Sequence, residues 1–259
     1  IIPMLIYFTL IFIFINSNKK NKELFGNNEL YNVYVLYVLE RENYIKNLVN
    51  KINLNTNIHF IKGIDKNNIN CDELINTNKI TSTWLSTKIK PIKYIKTFNN
   101  GRVACHLGHI NILSKFLKST CKFALILEDD INLEGDFQEL NKKINYIINH
   151  LPKDADIVYL SYCFEICSKL KNTNEIFIEA YRPLCRHFYL VTKKGARIII
   201  DNTLPMYSSG DRMIGTLISK NILKGYIINP SYLKINQKRN DNSNFKTLLD
   251  NTQPHRLCL

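Results

Sequence analysis

The stretch Phe123–Asp130 reads FALILEDD, an apolar run that ends in three consecutive carboxylates. The run Lys122–Leu127 predicts a buried strand, because short apolar segments of this kind are typical of strands inside α/β sheets. In open α/β sheets, ligands bind beyond the carboxyl ends of the strands. Glu128, Asp129 and Asp130 therefore lie at a candidate binding edge. An extended chain would direct Glu128 and Asp130 to one side and Asp129 to the other.

These three neighbouring carboxylates repel one another unless solvent or a cation compensates their charge. Hard divalent cations, which bridge carboxylate and phosphate oxygens, provide such compensation. The cluster is therefore a candidate metal site. An exposed acidic turn after a strand is the alternative that the cluster alone leaves open.

Alternating strands and helices flank this stretch on both sides. A strand at Asn32–Leu39, a helix at Glu40–Lys51 and a strand at Asn57–Ile61 open the chain as a β-α-β unit. Residues Val103–Leu117 have the apolar period of an amphipathic helix, whereas the polar segment Asp65–Lys96 predicts an irregular excursion. Further helices are predicted at 137–148, 193–201 and 211–220, and further strands at 156–161, 175–180, 187–192 and 225–228. The pattern predicts a single α/β domain over residues 31–240 with a mostly parallel central sheet.

The two ends of the chain differ in composition from this domain. Residues 1–16 are uncharged and almost wholly apolar. A signal peptide, a truncated signal anchor and a buried helix are the alternatives for such a run. Residues 17–30 resemble a polar stalk, and residues 241–259 form a polar tail. These patterns predict a membrane-associated or secretory location if the first segment is an anchor or a signal.

The formal net charge of +13 comes from lysines spread along the whole chain. It indicates either attraction to a polyanion, such as nucleic acid, an anionic membrane or a nucleotide diphosphate, or a codon-biased, solvated surface. No stripe of basic and aromatic residues supports nucleic-acid binding, and no glycine-rich phosphate loop is present. The seven cysteines form no paired CxxC array, so they indicate neither a zinc site nor a compartment.

The segment Gly101–His109, reading GRVACHLGH, precedes a helix and then FALILEDD. This order resembles glycosyltransferase family 25, which includes lipooligosaccharide and procollagen galactosyltransferases. The family pattern is Gly-x-x-Gly-Cys-x-x-Ser-His, a helix, and a strand ending in Leu-Glu-Asp-Asp. Gly101, Cys105 and His109 match this pattern, whereas Ala104 and Gly108 replace the usual Gly and Ser. Three further pieces resemble the family in the same order, namely Val33–Arg41, His187–Ala196, and Pro205 with Asp211.

The resemblance implies a GT-A-type nucleotide-sugar-binding fold. It also implies inverting transfer of a hexose, galactose or glucose, from a UDP-sugar to a hydroxyl of a glycan or protein acceptor, including a collagen-like chain. Glu128, Asp129 and Asp130 would be the counterpart of the DxD motif and hold Mn²⁺ or Mg²⁺ against the donor diphosphate. Asp211 is the candidate base for the acceptor hydroxyl, with a helix N-cap as its alternative role. The candidate donor-binding residues are Arg41, Arg102, His109, Asp129 and His187.

Two other interpretations of the function stay open beside this one. An inactive, family-25-like binding module is compatible with the changes at Ala104 and Gly108. A nucleotidyl-transfer enzyme could use the same carboxylates on a metal ion. Finally, Cys105 and His109 share a helix face and His106 lies nearby, but three ligands on one helix cannot surround an ion. Packing is therefore the role expected for this group.

Overall fold

A computed structural model describes residues 30–81, 92–133, 135–233 and 235–237, and its centre is an eight-stranded sheet. Hydrophobic side chains fill both faces of this sheet. The strands, in chain order, are β1 Tyr31–Tyr37, β2 Ile58–Lys62, β3 Phe123–Glu128, β4 Ile131–Asn132, β5 Ile157–Ser161, β6 Lys171–Asn172, β7 Phe177–Glu179, β8 Phe188–Thr192, β9 Gly225–Ile228 and β10 Asn236–Gln237. Strands β4 and β10 form a separate antiparallel pair.

The order of the strands in the large sheet is β2-β1-β3-β8-β5-β9-β7-β6. Pairing is parallel from β2 through β1 to β3, and again between β5 and β9. Strand β8 runs antiparallel to both of its neighbours. Its first residues therefore lie beside the carboxyl ends of β1 and β3, which brings residues 186–187 to the same edge as the acidic stretch.

Helices cover the two faces of the sheet, which makes three layers. They are α1 Glu42–Ile52, α2 Cys71–Asn76, α3 Ile92–Lys118, α4 Phe137–Asn149, α5 Lys193–Thr203 and α6 Gly210–Ser219. Buried residues of α1 and α4 pack on one face of the sheet, and those of α3, α5 and α6 pack on the other. Alternation along β3 divides its side chains accordingly, with Leu125 and Leu127 on the first face and Ala124 and Ile126 on the second.

Most of the predicted elements are present, and the α/β class with a large central sheet is confirmed. The sheet is mixed, because β8 and β7 run against their neighbours. Two of the predicted assignments were wrong. Helix α3 begins at Ile92, eleven residues before the predicted start at Val103, and α2 lies inside the segment predicted to be irregular. Asn99, Asn100 and Gly101 interrupt the apolar period, and their low helix propensity predicts a break at this point. The helix continues through them, since tertiary context can override helix propensity.

The predicted membrane association requires a correction. Among the residues described, no helix combines the length and apolar character needed to span a bilayer. The apolar segment 1–16, most of the predicted stalk and the tail 241–259 lie outside the described residues. The prediction of a membrane-associated or secretory location is corrected on this finding and withdrawn.

Candidate active site

The acidic stretch lies at the carboxyl edge of the sheet, between β1 and β8. Glu128 is the last residue of β3, pairs in register with Leu36 of β1, and donates its backbone N–H to the carbonyl of His187 at 2.8 Å. Asp129 and Asp130 then form a turn. The chain is therefore not extended beyond Glu128, and the simple alternation of side chains stops at that residue.

Asp129 is held by two donors from the segment that follows β1. Its Oδ2 accepts the backbone N–H of Val38 at 2.6 Å, and its Oδ1 accepts Nη1 of Arg41 at 2.9 Å. Both side chains of the ion pair are only 8% exposed. Burial raises the pKa of Asp129, although the Val38 N–H and Arg41 act in the opposite direction. Both carboxylate oxygens of Asp129, and the guanidinium of Arg41, are thus engaged within the protein.

Glu128 faces α3, where it meets His109. Nε2 of His109 lies 2.7 Å from Oε1 of Glu128, and Nδ1 of His109 lies 3.0 Å from the hydroxyl of Tyr189. Burial, followed by the charge of Arg186, holds the pKa of His109 well below its usual 6.5. A neutral ring can accept the Tyr189 proton at Nδ1 and donate Nε2–H to the carboxylate. His109 is therefore a hydrogen-bond partner that orients Glu128. The Cys105 thiol donates to the same oxygen of Glu128 at 3.8 Å.

A buried arginine, Arg186, completes this group. Its Nη1 lies 3.3 Å from Nδ1 of His106, and its Nη2 lies 3.8 Å from the sulfur of Cys105. Because arginine can only donate, Nδ1 of His106 must accept, and its Nε2–H donates to the carbonyl of Thr203 at 3.2 Å. The sequence reasoning missed Arg186, although it directly precedes the family-like stretch beginning at His187.

Asp211 lies in the first turn of α6, where Ser209 is the N-cap residue. The alternative role of Asp211 as the N-cap was therefore wrong. Its Oδ1 accepts the backbone N–H of Arg212 at 2.8 Å, and its Oδ2 accepts that of Cys185 at 3.4 Å. Burial acts to raise the pKa of Asp211, but hydrogen bonds from Ser209 and the backbone, together with the charge of Arg186, lower it below its usual value.

Two more of the predicted residues are Arg102 and His187. Burial and the charge of Arg212 lower the pKa of Arg102, and the charge of Asp211 acts in the opposite direction. His187 is 1% exposed and its Nε2 lies 2.6 Å from the hydroxyl of Ser161. The ring of His187 also lies beside the Cys163 and Cys185 sulfurs, which form a disulfide. His187 is thus a buried residue hydrogen-bonded to Ser161 on β5, whereas Arg102 is within the electrostatic influence of Asp211.

The predicted metal ligands can be tested against this geometry. In the described part of the chain, two groups bring three potential ligand atoms within 4.8 Å of one another, namely Cys105–His109–Glu128 and Cys163–Cys185–His187. The first lies against the Arg186 guanidinium, and burial raises the pKa of the Cys105 thiol, so neither its charge nor its ligands suit a cation. The second contains a disulfide rather than thiolates.

Oxygen ligands for a hard cation remain at the acidic turn. The contacts of Glu128 described above use Oε1, and its side chain is 20% exposed. Asp130 is 9% exposed and follows in the same turn. Carboxylate oxygens of this kind suit Mn²⁺ or Mg²⁺. Glu128 and Asp130 are therefore the candidate ligands for a metal ion, whereas Asp129 forms an ion pair with Arg41.

A family model for glycosyltransferase family 25, described as LPS biosynthesis protein, matches residues 37–214, which is more than half of the chain. The chain belongs to glycosyltransferase family 25. The resemblance deduced from the sequence motifs is thereby confirmed, and the matched region contains all the candidate site residues described above. Membership of family 25 implies transfer of a sugar from a nucleotide-sugar donor to a glycan acceptor.

The other comparisons add little to this assignment. No curated protein matches this family-25 chain. Among solved structures, it is similar to a putative glucose-1-phosphate thymidylyltransferase from Bacillus anthracis in complex with a sucrose, with 11% sequence identity and a TM-score of 0.38. The similarity covers 77% of this chain and 87% of that one. At this TM-score it carries no argument about function.

Proposed function

We propose that this family-25 chain transfers a hexose, galactose or glucose, from a UDP-sugar to a hydroxyl of a glycan or protein acceptor. The transfer inverts the anomeric carbon and uses Mn²⁺ or Mg²⁺ in a GT-A-type site. One observation carries the proposal, namely that carboxylates from two distant elements converge at the carboxyl edge of β3. The sulfur of Cys105 lies 3.8 Å from Oε1 of Glu128 and 3.8 Å from Nη2 of Arg186. Arg186 in turn lies against Gly210, the residue before Asp211.

Asp211 accepts the proton of the acceptor hydroxyl in this proposal. Its lowered pKa keeps it ionised at neutral pH, and two backbone N–H groups hold its oxygens in place. As the acceptor oxygen forms its bond to the anomeric carbon, the bond from that carbon to the diphosphate breaks. The proton passes to Asp211, and the electron pair leaves with UDP.

The donor side of the site is formed by the acidic turn and the nearby arginines. Asp130 and Glu128 are the residues that would hold a divalent cation, which when bound neutralises charge on the leaving diphosphate. Arg102 is half-buried and has donors for phosphate oxygens. Arg41 acts through Asp129, since their ion pair fixes the start of the segment after β1. His109 and His187 are too buried to meet the donor, and they support the residues that do.

The test is release of UDP from a panel of UDP-sugars, with Mn²⁺ and with a chelator. We expect hydrolysis or transfer with a UDP-hexose and its loss on chelation. Asp130→Asn should slow turnover about a thousandfold, because losing metal stabilisation of the leaving group costs several kcal/mol. Glu175→Gln, a change at an exposed acid, is the control.

Two outcomes would contradict the proposal. Turnover at the parent rate in Asp130→Asn would show that the acidic turn is not part of the site. Binding of Mn²⁺ and UDP without any UDP release from the whole panel would favour the inactive binding module instead.

A further inference from the structure

Two segments that are distant in the sequence interlock beside the candidate base. Cys185 donates its backbone N–H to Asp211 at 3.4 Å, and the next residue, Arg186, lies against Gly210. Cys185 and Arg186, which precede β8, thus contact Asp211 and Gly210, the first two residues of α6. A disulfide from Cys185 to Cys163 ties the first segment to the residues that follow β5.

Gly210 makes room for the guanidinium. An added Cβ at this position would stand 2.5 Å from Nη2 and 2.7 Å from Cζ of Arg186, and 2.5 Å from Nδ1 of His106. Both of these side chains are buried, so neither has open solvent into which it could move. Glycine is otherwise unfavourable in a helix. Its presence at the start of α6 therefore indicates that Arg186 needs the space.

Titratable groups from every surrounding element face Arg186. They are Cys105, His106 and His109 on α3, Glu128 on β3, Tyr159 on β5, Tyr189 on β8 and Asp211 on α6. Burial lowers the pKa of both histidines, and it raises the pKa of the thiol, of the two tyrosines and of Glu128. Asp211 is the acid of this set whose pKa is lowered, which favours its charged form.

We propose that Arg186 is a positioning residue for Asp211 in the transfer reaction, and that Gly210, the residue before Asp211, admits its guanidinium. A buried arginine requires a counter-charge, because an uncompensated charge in the interior is strongly destabilising. The charges of Glu128 and Asp211 both act on Arg186, and the backbone N–H of Cys185 holds Asp211 in place. The role of Asp211 as base rests on the proposed function, whereas its coupling to Arg186 rests on the contact of Arg186 with Gly210 and on that of Cys185 with Asp211.

A double-mutant cycle measures the coupling without any assay of transfer. Urea unfolding is recorded for the parent, Arg186→Gln, Asp211→Asn and the double variant. Adding the losses in stability of the two single variants predicts an unfolding equilibrium constant for the double variant. We expect the measured constant to be smaller than this prediction by at least about tenfold. The matched cycle pairs Arg186→Gln with Asp201→Asn, at an exposed acid on α5, and should be additive. Additivity within about twofold in the first cycle would overturn the proposal.

A second pair of variants keeps the test decisive if Arg186→Gln does not fold. Gly210→Ala pushes on the guanidinium, whereas Gly101→Ala on α3 meets nothing within 4 Å. We expect Gly210→Ala to be less stable than the parent, because its Cβ would press on the guanidinium. Gly101→Ala should be as stable as the parent or more so. Equal stability of both alanine variants would contradict the inference.

The pH profile of transfer separates positioning from a general structural role. In Arg186→Gln, the acid limb of the rate should move to higher pH, because Asp211 stays protonated over a wider range without its counter-charge. Arg186→Lys should return the limb towards the parent position. A rate lowered equally at every pH would contradict the proposal. If the parent itself shows no transfer, the proposed function fails, and the unfolding cycle still decides the coupling.

Discussion

The buried ion pair between Arg41 and Asp129 leads to a prediction that separates two neighbouring acids. Asp129→Asn replaces one of two acceptor oxygens by an NH₂ group that faces a donor, and it leaves the guanidinium uncompensated. Both side chains are 8% exposed, so solvent screens the pair little. Breaking a buried pair by removing one partner costs about 3–5 kcal/mol. We expect a loss of about 3 kcal/mol, roughly 150-fold in the folding equilibrium.

Urea unfolding followed by circular dichroism measures this loss for Asp129→Asn, Arg41→Gln and the double variant. The double variant should be more stable than the sum of the single changes predicts, because it no longer buries an unmatched charge. Asp201→Asn, at an exposed acid, is the control and should unfold like the parent. A parent-like urea midpoint for Asp129→Asn would refute the reasoning, and Asp129 would then be available to a metal ion after all.

Three further predictions concern the base, a buried histidine and the disulfide. Asp211→Asn should abolish transfer but leave calorimetric binding of UDP unchanged, and weakened binding would place Asp211 on the donor side instead. His106 has a pKa well below its usual 6.5, owing to burial and Arg186, so the unfolded chain takes up a proton that the folded one refuses. The contribution of neutral His106 to stability is present above pH 6.5 and is lost as the pH falls. His106→Asn should therefore flatten the dependence of the free energy of unfolding on pH below pH 6.5, by up to about 1.4 kcal/mol per pH unit. An unchanged slope would contradict this. Replacing Cys163 and Cys185 together by Ala should cost about 3 kcal/mol, since the bond closes a loop of 22 residues, and an unchanged urea midpoint would contradict it.

Local sequence patterns predicted the strands because their evidence is local. The runs that became β3 and β9 are apolar, short and bounded by polar or turn residues, and no distant contact is needed to recognise them. The start of α3 could not be found in this way, since Asn99-Asn100-Gly101 breaks the period before the amphipathic part begins. The direction of β8 was equally hidden, because the pairing of a strand depends on the rest of the sheet.

The partners of the acidic residues lie beyond local patterns. The sequence placed three carboxylates at the end of a strand, and they are there. It could not show that Arg41, 88 residues before Asp129, would neutralise the middle one. Nor could it show that His109 would bind Glu128. A candidate ligand is recognised by its residue type, but whether its oxygens are free to bind a cation is decided by tertiary contacts.

The departures from the family pattern at Ala104 and Gly108 have a physical explanation in the packing of α3. An added Cβ at Gly108 would stand only 3.0 Å from Cδ1 of Leu36 on β1, so a serine there would push against the sheet. Ala104 is also buried, at 6% exposure. Glycine at 108 is therefore suited to a closely packed helix–sheet contact, and the missing hydroxyl is not a loss from the cleft. The change at Gly108 is thus consistent with the packing of α3 against β1, and Glu128, Asp130 and Asp211 are present as the candidates that a test of transfer must address.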